Sequence, residues 1–178
     1  DFISPDRRDD RHTIEPVTPV PSPDPRWVEE LGREDIVYSW EYRHGDRRLF
    51  IVANFWLKCE CFFRLTPAGL EADRQYLLSE PAAGRCYAGA TGQPALTAAD
   101  LSDGALLTAG AMRYAFFVLQ PFGGGPEPGT RVVTPAEMQA AMAQRLPAIR
   151  QAFSQEQELA AGREDEDATE VVDYSGLK

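Results

Sequence analysis

The sequence predicts an α+β fold: a small, mainly antiparallel sheet built on a long hairpin, with a C-terminal helix over about residues 135–158 packed on it. Three observations carry this. Tyr38, Trp40 and Tyr42 alternate with Ser39, Glu41 and Arg43, and after a turn signal a long return run to Leu65 is apolar on both faces in its first half and amphipathic in its second. A second alternating run, Met112, Tyr114, Phe116 and Val118, follows later. Thr134-Pro135-Ala136-Glu137 then combines an N-cap, a proline at the first helical position and a capping-box glutamate.

The N-terminal segment 1–26 contains Pro5, Pro16, Pro19, Pro21, Pro23 and Pro25 among charged and small residues. Such a composition buries little apolar surface and favours extended, polyproline-like states, so it reads as a tether or arm. A single globular domain is expected over 27–160, opening with a turn of helix at Trp27–Leu31. Tyr38, Trp40 and Tyr42 then alternate with Val37, Ser39, Glu41 and Arg43 as a strand. His44-Gly45-Asp46-Arg47 is its hairpin loop, since Gly45 can supply a positive φ.

The returning run places Leu49, Ile51, Ala53, Phe55, Leu57, Cys59, Cys61, Phe63 and Leu65 on one face. Phe50, Val52, Asn54, Trp56, Lys58, Glu60, Phe62 and Arg64 fall on the other. A run this long exceeds ordinary strand length, which predicts a bend, bulge or break near Ala53-Asn54. Thr66-Pro67 reads as a helix start extending toward Ser79, weakened by Gly69. Pro81–Pro94 reads as a loop carrying Cys86, Thr97-Ala98-Ala99-Asp100 as a short helix, and Ala111–Phe122 as a strand. In the final helix Met138, Met142, Arg145, Leu146, Ile149 and Phe153 form one stripe, within which Pro147 should kink or split the helix. From Gly162 the chain is expected to be disordered, and 161–178 reads as an acidic tail.

Charge is uneven. Of the net −10, a charge of −7 falls between Glu156 and Asp173, where eight acids face Arg163 alone. The body from Trp27 to Gln155 holds fourteen acids and twelve bases and is close to neutral. Nucleic acid is therefore not an expected partner, because phosphate binding needs clustered Lys and Arg. No apolar run approaches the roughly 20 residues of a membrane-spanning helix. Asp1 at the first position matches a chain trimmed of a signal peptide or of a lipidated leader. The expected location is the periplasm or cell envelope, with the membrane reached only through an N-terminal lipid anchor; a cytoplasmic location is the alternative.

The cysteines bear on that choice. Cys59 and Cys61 lie roughly 6.5–7 Å apart along a strand, which disfavours a bond between them. Either could reach Cys86 in an oxidising compartment; reduced, all three would serve as small buried apolar residues. A zinc site from Cys59, Cys61, Cys86 and His44 is disfavoured, because Cys-x-Cys in a regular strand lacks the turn that structural zinc needs. No metal or cofactor is predicted. The triple glycine at 123–125 lacks the Lys-Ser/Thr of a phosphate loop.

As bases, His12 in the arm and His44 at the hairpin tip read as exposed loop residues. Glu41, Asp46 and Glu60 are the acids available for hydrolytic work, and read first as a solvated polar face. The aromatic and charged face Trp56, Lys58, Glu60, Phe62 and Arg64 is the predicted partner-binding surface, unless the C-terminal helix covers it. The function expected is thus a non-catalytic protein-binding module: an envelope-tethered inhibitor or immunity-type protein, or an accessory subunit of a larger complex. In that role the acidic segment 156–173 would serve as an electrostatic lure or simply as a solubilising tail. A cytoplasmic or phage-type adaptor is the first alternative. A small hydrolase using carboxylates or cysteine is the second.

Overall fold

The computed structural model describes residues 12–21 and 36–169. In chain order its elements are β1 (His12–Pro16), β2 (Val37–His44), β3 (Arg47–Asn54), β4 (Cys61–Pro67), β5 (Tyr76–Glu80), β6 (Arg85–Tyr87), α1 (Ala98–Ser102), β7 (Ala105–Ala109), β8 (Arg113–Pro121), β9 (Arg131–Val133) and α2 (Pro135–Thr169). The fold is α+β, as the sequence predicts. The strands form two sheets: a small one ordered β1-β4-β7 and a large one ordered β2-β3-β8-β5-β6-β9. Neighbours are antiparallel except β6 and β9.

The hairpin forms, paired from Val37↔Asn54 to His44↔Arg47. Gly45 takes φ +56° in the tight loop, where a Cβ would strain the backbone. The chain does not continue as one strand, however. It breaks after Asn54, leaves the large sheet, and re-enters as β4 in the small one. Asn54 is fully buried and organises the break. Its Nδ2 donates to the carbonyls of Cys59, Ala109 and Gly110 at 3.0, 3.1 and 3.2 Å. Its Oδ1 accepts the Trp56 N–H at 3.0 Å.

The two sheets stack face to face. Phe63 of β4 meets Phe117 of β8 edge-on at 6.0 Å, and His12 of β1 meets Phe50 of β3 at 5.4 Å. Cys61, Phe63 and Leu65 pack here with Phe50, Val52, Leu78, Phe117 and Leu119 in one buried cluster. Helix α2 packs against β7 on the far side of the small sheet, giving three layers. Its start carries the predicted capping box: Thr134 Oγ1 accepts the Glu137 N–H at 3.2 Å, and Glu137 accepts the Thr134 N–H at 2.7 Å. Met138, Ile149 and Ala152 are its buried contacts.

Several expectations need correction. Residues 12–21 are not a free tether: β1 pairs with β4 from His12↔Pro67 to Pro16↔Phe63, and Val17 donates to the Phe62 carbonyl. Ile14, Val17 and Val20 supply the apolar contacts that make docking worthwhile. The rest of the predicted tether, and the helical turn at Trp27–Leu31, lie outside the described residues. Thr66–Ser79 is not a helix. Thr66 and Pro67 finish β4, Gly69 turns at φ +65°, and Tyr76–Glu80 form a strand between β8 and β6. Tyr76, Leu78 and Glu80 alternate inward there, a period-two signal masked by the proline cap that precedes it. Cys86 lies in a strand rather than a loop. Pro147 does not end α2; it and Ala143, whose carbonyl its missing N–H leaves free, both sit on the exposed side, where water can bond that carbonyl. The helix also runs past Gly162 to Thr169.

Candidate functional site

The predicted partner face, Trp56, Lys58, Glu60, Phe62 and Arg64, does not exist as a surface. The break after Asn54 removes the alternation that would have aligned these residues. Trp56 and Phe62 are buried in the core, Phe62 on the face of the small sheet nearer α2. Lys58 projects from the connecting loop. Glu60 pairs with Arg145 of α2 at 3.4 Å. Arg64 donates to the Asp103 and Gly104 carbonyls at 3.4 and 3.1 Å, at the rim of a cleft of about 220 Å³ floored by Tyr87, Leu96, Leu106, Val133 and Met138.

The exposed aromatic surface is elsewhere, on the outer face of β2, β3 and β8. Cross-strand register places Tyr38, Ala53 and Tyr114 in one row, Trp40, Ile51 and Phe116 in the next, and Tyr42, Leu49 and Val118 in a third. Tyr38 stacks on Trp40 at 6.3 Å, and Phe55 bridges Tyr38 and Tyr114 with edge contacts of 5.5 and 6.0 Å. Tyr114 is 55% exposed and Phe116 41%. Leu57 and Met112 extend the patch on two adjoining loops, joined by the Met112 N–H donating to the Trp56 carbonyl at 3.1 Å. Met112 holds a left-handed φ of +50°, unusual for a residue with a side chain, so local strain coincides with an exposed apolar group. The main contacts of α1 and α2 are with β4 and β7 of the small sheet, on the other side of the molecule, while a 3-10 turn at Pro81–Ala83 lies beside β8. The alternation of Tyr38, Trp40 and Tyr42 and of Tyr114 and Phe116 is visible in the sequence; which face the second sheet covers is not.

A polar cluster occupies the opposite face of β2. Glu41, whose side chain has no exposed surface, accepts from Arg43 Nε at 2.6 Å through Oε1, with Arg48 3.7 Å away. Its Oε2 lies 3.6 Å from His12 Nδ1, and His12 Nε2 lies 2.9 Å from Ser39 Oγ. Burial alone would raise the Glu41 pKa, but the contact with His12 and the Arg43 and Arg48 guanidiniums together hold it below the usual carboxylate range. His12 is therefore a buried cross-sheet residue and not an exposed one. The remaining candidate acids are engaged in ion pairs, Asp46 with Arg74 and Glu60 with Arg145.

The disulfide expectation is also corrected: Cys59, Cys61 and Cys86 are all free. Cys61 points between the sheets, whereas Cys86, opposite Ser79 in the ladder, lies on the outer side of the large sheet. Burial pushes the Cys61 thiol up to about 11, only partly opposed by Thr18, and raises that of Cys86. For Cys59 burial and the charges of Glu60 and Glu156 act upward against Lys58. None has the depressed pKa of a nucleophilic thiolate. In native protein at neutral pH, alkylation mapped by mass spectrometry is expected at Cys59 first, with Cys61 and Cys86 slower by roughly tenfold or more. Equal labelling of Cys61 would show that β1 and β4 separate readily.

Among the described residues no group of three or more His, Cys, Asp or Glu side chains is arranged to hold a metal ion. No helix there is long and apolar enough to cross a membrane. Comparison with protein-family models, curated proteins and solved structures gives no match to this chain.

Proposed function

We propose that the protein is a binding module, of inhibitor or accessory-subunit type, that docks a protein partner through the outer face of β2, β3 and β8. The observation that supports this reading is the contiguous row of Trp40, Ile51 and Phe116 beside Tyr114, partly or largely exposed on a sheet face that neither helix packs on. Aromatic residues of this kind dominate binding hot spots, and a contiguous exposed apolar patch marks an interaction surface. Covering Tyr114 and Phe116 would contribute on the order of 1.5–3 kcal/mol each. The three thiols are free, so no disulfide argues for an oxidising compartment.

Co-purification from the native source tests the reading. Wild type and the control Glu71→Ala, on a remote exposed loop, are expected to retain the same partner. Phe116→Glu and Tyr114→Glu are expected to lose it with unfolding midpoints close to wild type. Retention of the same proteins by both aromatic variants would reject this face as the docking surface.

A further inference from the structure

We infer that Ser39 is a nucleophilic hydroxyl activated by His12, with Glu41 orienting the imidazole, and that it turns over small activated esters. The site lies on the inner side of β2 and is independent of the outer aromatic face.

The geometry has the order such a relay needs. His12 Nε2 is 2.9 Å from Ser39 Oγ, within reach for proton transfer. The other ring nitrogen, Nδ1, faces Glu41 Oε2 at 3.6 Å. The Glu41 side chain is 0% exposed, while His12 and Ser39 are both half-buried residues. The carboxylate is thus the deepest of the three. Arg43 occupies Oε1, which leaves Oε2 to the imidazole. The Phe50 ring, edge-on to His12 at 5.4 Å, fixes the plane of the base from a third strand.

His12 Nδ1 and Glu41 Oε2 are both buried and both lack a hydrogen-bond partner. Leaving such groups unpaired costs about 1–3 kcal/mol each. Each is the other's neighbour, and a small approach would close the bond as Ser39 gives up its proton and the ring becomes cationic.

The chemistry balances without an added reagent. Ser39 Oγ bonds to the ester carbonyl carbon while its proton passes to His12 Nε2. The bond from that carbon to the leaving alkoxide breaks, and Nε2 returns the proton to the alkoxide. Water then adds to the acyl carbon, giving its proton through Nε2 to Ser39 Oγ, and the carboxylic acid departs.

The full chain treated with a fluorophosphonate probe tests this, since attack by Ser39 Oγ on phosphorus releases fluoride and leaves a stable adduct. Peptide mapping is expected to place one adduct on Ser39 in native protein and none in urea-unfolded protein. Ser39→Ala should abolish it, and His12→Asn should slow it roughly 100-fold. p-Nitrophenyl acetate hydrolysis should fall in parallel. An unlabelled Ser39 in native wild type overturns the inference, as does labelling that His12→Asn leaves unchanged. If His12→Asn does not fold, the comparison of native wild type with unfolded chain and Ser39→Ala still decides.

Discussion

Replacing Asn54 with aspartate is expected to destabilise the fold by about 3 kcal/mol or more at neutral pH. The change is nearly isosteric, so packing is not the cause. The Asn54 amide nitrogen faces the carbonyls of Cys59, Ala109 and Gly110, and a carboxylate oxygen there would meet three acceptors with no donor and no exposure to solvent. Asn54→Ala removes the same bonds and strands the Trp56 N–H without adding a charge, and should cost about 2 kcal/mol. Urea unfolding of both variants measures this. The gap between them should narrow in acid, where the introduced carboxyl becomes neutral. An unchanged midpoint for Asn54→Asp would show that the amide does not hold the crossing between the sheets.

The second large effect is expected at Glu41. Glu41→Gln removes a buried carboxylate and leaves Arg43 and Arg48 facing a neutral amide, a loss of about 3 kcal/mol. The same group gives stability a pH dependence whose sign follows from its lowered pKa. Glu41 in the folded protein titrates below its ordinary value of 4.5. Its stabilising contribution is therefore complete above that ordinary value and is lost as pH falls through the folded-state pKa. Wild type should lose stability on acidification more steeply than Glu41→Gln, in which this group no longer titrates. Parallel acid profiles for the two proteins would remove Glu41 from the account.

The two sites differ in how far the residues announce them. The outer aromatic face is half legible: Tyr38, Trp40 and Tyr42, and separately Met112, Tyr114 and Phe116, alternate with the period of a strand. Their neighbourhood arises only when β8 pairs with β3, with Phe116 opposite Ile51. The face predicted instead, through Trp56 and Phe62, rested on carrying one alternation across Asn54. A residue whose side chain binds three main-chain carbonyls is a point where a strand stops, and beyond it the parity of inward and outward positions starts afresh. His12 and Ser39 are a different case. Nothing local in a proline-rich arm marks a histidine as buried, because its burial depends on β1 docking at the edge of β4.

The sequence by itself determined the local elements: the hairpin with its loop at Gly45, the strand over Arg113–Pro121, and the capped starts of α1 and α2. These depend on side-chain period, backbone freedom and capping within a few residues. Only the tertiary structure decided which faces were covered, where the chain changed sheets, and that His12, Ser39 and Glu41 would meet. Those outcomes depend on stacking one sheet on another, an interaction between segments that share no local pattern. Burial belongs to the assembled layers, and no single strand carries it.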